Sequence, residues 1–191
     1  GRFFQAPKKR GARHRMKGDG TQPAWPDEIF GVLKEADVEQ VCYVPDAGHK
    51  VLIERSIADN EMTTVRLTTE EEGVAVLSGA WLGGQRGALL MQSSGVGNCI
   101  NLMGLVQECR FPLLMLITMR GEWGEFNPWQ TTMGQGAQAA LEAVGVIVHR
   151  VDDAALAAET VQAAARLAFL SYRAVAVLIG QRVIGFKEFA K

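Results

Sequence analysis

Three consecutive carboxylates, Glu70, Glu71 and Glu72, stand between an apolar run and the start of a helical period. Acids in that place can serve a helix start. Thr68-x-x-Glu71 and Thr69-x-x-Glu72 both fit a capping box, and negative charge suits the positive end of the helix dipole. One of them can instead do acid–base chemistry. Successive helical residues point about 100° apart, so the three cannot share one cleft and at most one is catalytic. Glu70 aligns with Val74, Leu77 and Trp81, a buried stripe on which a carboxylate is costly without a partner. A buried group that exchanges a proton would supply the reason for it.

Three further segments combine glycines with polar or titratable groups. Val44-Pro45-Asp46-Ala47-Gly48-His49 offers two titratable side chains in a small-residue turn. Gln92-Ser93-Ser94-Gly95-Val96-Gly97-Asn98 has glycines that let a backbone approach a ligand closely, followed by a helix with free N–H groups. Met119 to Gln130 is long, aromatic and charged, which is costly to hold unless it covers or contacts something. Each alone also fits a turn that merely reverses the chain.

The elements around these segments alternate. Strand-like runs fall at Val41–Val44, Thr63–Leu67, Ala88–Gln92, Leu113–Thr118, Val146–Val151 and Ala174–Ile179, with helical periods near 48–58, 70–83, 97–109, 135–144 and 153–170. A helix opens at Pro26-Asp27-Glu28, proline and acids occupying its first turn. The alternation predicts an α/β class: a doubly wound, mainly parallel six-stranded sheet with helices on both faces. Such sheets bind ligands beyond the carboxyl ends of their strands, where all three segments fall.

A chain of 191 residues, 48% hydrophobic and 21% charged, suits one soluble α/β domain, and a net charge of −1 gives no field to attract nucleic acid. No apolar run approaches the roughly 18 residues of a membrane span, and no signal-peptide segment is evident. Cys42, Cys99 and Cys109 lie among apolar residues and read as reduced, buried thiols, which places the chain in the cytoplasm. Residues 1–25, with seven basic side chains and only Asp19 acidic, read as a disordered tail or, before Met16, as extraneous sequence. The folded domain is expected to span 26–191.

Taken together, Val44-Pro45-Asp46, Glu70-Glu71-Glu72-Gly73, Met91-Gln92-Ser93-Ser94-Gly95-x-Gly97-Asn98 and Met119-Arg120-Gly121-Glu122 resemble the pyrimidine-binding domain of thiamine-diphosphate enzymes. The closer likeness is to sulfopyruvate and phosphonopyruvate decarboxylases, from about Ile29 onward. The resemblance implies that Glu70 hydrogen-bonds N1′ of the cofactor's aminopyrimidine and promotes the imino tautomer that removes the thiazolium C2 proton. It implies cofactor contacts from Pro45, Gln92, Ser93, Ser94, Gly95, Gly97 and Asn98. Asp46, and less strongly His49, become acid groups near the reacting carbons.

The family's other half carries a Gly-Asp-Gly motif and a downstream Asn that hold Mg²⁺ and the diphosphate. Here Gly18-Asp19-Gly20 sits in the basic tail with no strand before it and reads as coincidence. The resemblance therefore implies a separate beta subunit carrying the metal ligands, none being expected from this chain, in an assembly such as α2β2 or larger. Arg120 and Gln130 are the candidate substrate contacts; the Arg120 fork suits a sulfonate, phosphonate or carboxylate, but a pairing with Glu122 or Glu125 fits it as well. The run Glu125-Phe126-Asn127-Pro128 resembles the sulfopyruvate enzymes more than the phosphonopyruvate ones. A non-catalytic, flavodoxin-like regulatory module is the competing class, set against the retained Glu70. A hydrolase fits poorly, since there is no G-x-S-x-G elbow and His14, His49 and His149 suggest no triad.

Overall fold

A computed structural model describes residues 24–185. The expected tail lies outside the described residues except for Ala24 and Trp25. Helix α1 (Trp25–Glu35) begins one residue before the expected boundary, and Trp25, only 4% exposed, packs with Ile29 and Leu33. The domain's core thus includes a residue that the charge pattern had assigned to the tail.

Six strands follow: β1 (Val38–Tyr43), β2 (Thr63–Arg66), β3 (Arg86–Gln92), β4 (Leu113–Thr118), β5 (Ile147–Val151) and β6 (Ala174–Ile179). All pair in parallel, in the order β2-β1-β3-β4-β6-β5. Strand β1 starts earlier than its apolar run because Glu39 and Gln40 extend it at the open end of the sheet, where polar side chains are tolerated. The connecting helices are α2 (Lys50–Ala58), α3 (Glu70–Leu82), α4 (Val96–Cys99), α5 (Met103–Cys109), α6 (Thr131–Ala143) and α7 (Ala157–Ser171), with a short α8 (Gln181–Ile184) after β6. The single helix expected at 97–109 is two. Between them Leu102, Met103 and Gly104 donate to the carbonyls of Cys99, Ile100 and Asn101, tight i→i+3 bonds in place of the α-helical spacing.

Pleating divides the strand residues between two cores. Val41, Ala88, Leu90, Leu114, Leu116, Val175 and Val177 face α1, α2 and α7. Their neighbours Cys42, Leu89, Met91, Met115, Ile117, Ala176 and Leu178 face α3, α4, α5 and α6. Both faces are covered, so the central strands read as continuous apolar runs. The chain moves one way from β1 to β2 and the other way from β3 onward, which opens a crevice between the carboxyl ends of β1 and β3. No helix among the described residues is long and apolar enough to cross a membrane.

Because Trp25 is buried, Trp25→Ala should cost about 3 kcal/mol, the usual range for deleting a large core side chain. Urea unfolding measures it; a change below about 0.5 kcal/mol would return Trp25 to the tail.

Candidate active site

The segments after β1, β3 and β4 meet at this crevice, joined by one carboxylate. Asp46 Oδ2 accepts from the Thr118 hydroxyl at 2.6 Å and from the amides of Gly48 and His49 at 3.0 and 3.3 Å. Its Oδ1 faces Gln92 Nε2 at 3.5 Å, and Gln130 Nε2 donates to Gln92 Oε1 at 3.1 Å. Arg120 N donates to the buried Ser93 hydroxyl at 3.0 Å, tying the β3 and β4 segments a second time. Thr118 was not picked out in the sequence; its signal was a hydroxyl ending an otherwise apolar strand. Pro45 is exposed beside Asp46.

His49 behaves differently from an exposed acid group. It is fully buried, and Nε2 lies 2.9 Å from the Leu116 carbonyl, so the geometry puts the ring proton there. Nδ1 is buried without a partner. Burial lowers the imidazole's pKa, opposed by the charge of Asp46 and by the carbonyls of Leu116 and Met91. A ring with no exposed atom cannot hand a proton to a substrate at the crevice, which corrects the catalytic expectation for His49.

Glu70 opens α3 at the carboxyl end of β2 and is 8% exposed. Asn98 Nδ2 donates to its Oε2 at 2.8 Å. A Cβ on Gly95 would strike the Glu70 carboxyl group, so this glycine makes room for a side chain of the protein, where close approach of a ligand was the sequence reading. Gly97 and Asn98 are exposed and Ser94 is half-buried. Met133 Sδ lies 3.6 Å from where a Gly97 Cβ would be. The four-residue α4 is too short to offer the helix dipole once expected of this loop.

The neighbouring acids divide as rotation requires. Glu72 Oε2 accepts from Thr68 N at 2.8 Å, one residue before the N-cap, and Thr69 makes no side-chain cap bond, so neither expected capping box forms. Glu71 Oε2 is buried without a partner. Burial first, then the charges of Glu70 and Glu71, push the Cys99 thiol up to about 12, and burial takes Cys42 to about 11. Cys109, expected to be buried, is exposed. Trp81 ends the stripe half-exposed, edge-on to Tyr172 at 5.7 Å.

The long segment after β4 is held by its own charges. Glu125 takes the Arg120 fork, Nε at 2.9 Å and Nη2 at 3.1 Å, together with the amides of Gly121 and Asn127 and the Gln181 side chain. Gln181 Oε1 accepts from the amides of Glu122 and Trp123, while Arg150 pairs with Glu122. Arg182 lies 3.8 Å above the Trp123 ring. The Arg120 fork is therefore spent on Glu125, and its side chain keeps 15% exposure, which corrects the expectation of a fork free for a substrate anion. Among the described residues no three His, Cys, Asp or Glu side chains are grouped to hold a metal ion.

Known proteins share both the sequence and the fold. No family model matches the chain. It is 37% identical over 121 residues to the sulfopyruvate decarboxylase subunit alpha of Methanococcus maripaludis, covering 63% of this chain and 72% of that one. A phosphonopyruvate decarboxylase of Streptomyces hygroscopicus is 39% identical over 110 residues, which are 56% of this chain and 27% of that longer one. The 2-oxoglutarate:ferredoxin oxidoreductase of Magnetococcus marinus superposes with a TM-score of 0.65 over 84% of this chain and 29% of its own, at 14% identity, a likeness of fold alone.

Burial would raise Glu125, but the Arg120 pair and the amides of Asn127 and Gly121 outweigh it and hold the carboxyl at about 2, below the usual 4.5. Its stabilisation is present above that usual value and is lost as pH falls through the folded one. Glu125→Gln should therefore cost about 2–3 kcal/mol at pH 7. By chemical denaturation, the gap between wild type and variant should close on acidification from about 4.5 to about 2. A gap independent of pH would mean that the ion pair contributes nothing.

Proposed function

Because the chain belongs to the family of sulfopyruvate decarboxylase alpha subunits, we propose that it is the pyrimidine-binding half of a two-subunit thiamine-diphosphate decarboxylase converting sulfopyruvate to sulfoacetaldehyde and CO₂. The observation that carries the reading is Glu70: a nearly buried carboxylate at the crevice, with Oε2 held by Asn98 and Oε1 beside Gly95. That arrangement fits an aminopyrimidine, whose ring nitrogen needs a carboxylate at one edge. When bound, thiamine diphosphate supplies the carbon nucleophile and the electron sink for decarboxylation.

The chain's own contribution is position and proton control. Glu70 holds or releases a proton at Oε1. Gly95 leaves room for the carboxylate by having no side chain, and the exposed Pro45 and Gly97 and the half-buried Ser94 would offer the cofactor its further contacts. Asp46, with Oδ2 committed to Thr118 and two amides, keeps Oδ1 toward Gln92 as the acid group at the crevice. His49 acts from behind, as a neutral support for Asp46. Ser93 fixes the wall by its bond to the Arg120 backbone, and Gln130, whose side-chain oxygen is buried, holds Gln92 in place through its Nε2. Diphosphate and Mg²⁺ fall to a beta subunit with the Gly-Asp-Gly…Asn motif, in an α2β2 or larger cytoplasmic assembly. With the Arg120 fork engaged by Glu125, sulfonate recognition rests mainly on that partner.

The likeness to a phosphonopyruvate decarboxylase keeps phosphonopyruvate as the second substrate to test. Co-expressed with a beta subunit and supplied with thiamine diphosphate and Mg²⁺, the chain should favour sulfopyruvate over phosphonopyruvate and pyruvate; alone it should turn over none. In the assembled enzyme Glu70→Gln should lower kcat by about 10²-fold or more, the usual worth of a positioned acid–base group. Glu72→Gln should lose roughly 0.5–1 kcal/mol of stability with near-normal turnover. Normal turnover in Glu70→Gln would remove the catalytic assignment.

A further inference from the structure

Asn98 lies in α4, where asparagine is a poorer helix former than alanine, and its exposed side chain fills no core. Local structure gives no reason for the residue. Its contact with α3 does: Nδ2 donates to Glu70 Oε2 at 2.8 Å, within the range of a charge-assisted bond. A carboxylate has two equivalent oxygens and a broad terminal torsion, so an unheld Glu70 would present either one. Two constraints limit that freedom. Asn98 takes Oε2, and the missing Cβ of Gly95 leaves the space in which the carboxyl carbon and Oε1 lie.

The geometry assigns Asn98 as a positioning residue that selects which oxygen of Glu70 is offered for proton exchange, in place of a direct cofactor ligand. The inference rests on Glu70 being the acid–base group of the proposed reaction. Asn98 acts through Glu70, and its own amide is occupied by that carboxylate. Because it is exposed, removing it should leave the fold intact.

The cofactor-free chain provides one test. In wild type, the Asn98 side-chain amide resonances should move as the Glu70 carboxyl takes up a proton, and in Glu70→Ala they should match a solvated amide at every pH. Resonances unaffected by Glu70→Ala would overturn the assignment. In the assembled enzyme, Asn98→Ala should slow cofactor C2–H exchange and lower kcat about 10-fold, with the chain still folded and the Kd for thiamine diphosphate and the KM for sulfopyruvate unchanged. Asn98→Asp should be as slow at neutral pH, where two carboxylates face each other, and should recover toward acid pH as the new carboxyl gains a proton to donate. Exchange at the wild-type rate in Asn98→Ala, while Glu70→Gln abolishes it, would overturn the positioning role and leave the proposed reaction standing. A raised cofactor Kd with normal exchange would make Asn98 a direct ligand instead. Normal exchange in Glu70→Gln as well would overturn both.

Discussion

A carboxylate taken almost wholly out of water must be given a donor or a proton, and around Glu70 that requirement organises one end of the molecule. The side chain begins α3, so its place is fixed by the packing of Val74 and Leu77 against the sheet. Its donor, Asn98, comes from α4, which follows β3 and packs on the same face of the sheet as α3. For the two to meet, the segment after β3 must pass directly over the carboxyl group, and only a residue without a Cβ fits at position 95. The glycine thus answers to this polar contact as well as to the fold.

The rest of the crevice is stiffened by the same principle. Asp46 gathers a hydroxyl and two amides, and Glu125 gathers a guanidinium, two amides and a carboxamide. Each satisfied carboxylate closes a loop on itself at the carboxyl edge of the sheet, where strands no longer supply backbone partners. Loops bound in this way can present side chains in fixed positions without a ligand to order them. The cost is that groups used as fasteners are no longer free to recognise anything else, and Arg120 is the clear case.

The fold was legible because its signals are periodic. Apolar runs of strand length separated by helical periods specify a parallel sheet, and the stripe Glu70, Val74, Leu77 singled out one carboxylate of three. What failed to show were properties of pairs distant in sequence. Nothing near Arg120 distinguishes a fork aimed at a substrate from one aimed at Glu125, five residues on. Nothing near His49 shows that Leu116, 67 residues away, will bury and bond its ring. Trp25 was masked by the basic segment before it, since charge composition speaks for a stretch and burial for a single side chain. Asn98 was legible as a member of a loop but not as the partner of Glu70, because that role depends on how closely α4 approaches α3.

These commitments bear on where specificity resides. A remote sulfonate or phosphonate needs a cationic or amide-rich pocket. In the segment after β4 two arginines are already engaged: Arg120 with Glu125, and Arg150 with Glu122 and Asp152. Arg182 is stacked on Trp123. What stays available is singly held: Oε1 of Glu70, whose Oε2 is taken by Asn98, and Oδ1 of Asp46. Such a set suits proton exchange and orientation of a reacting centre better than capture of a dianion.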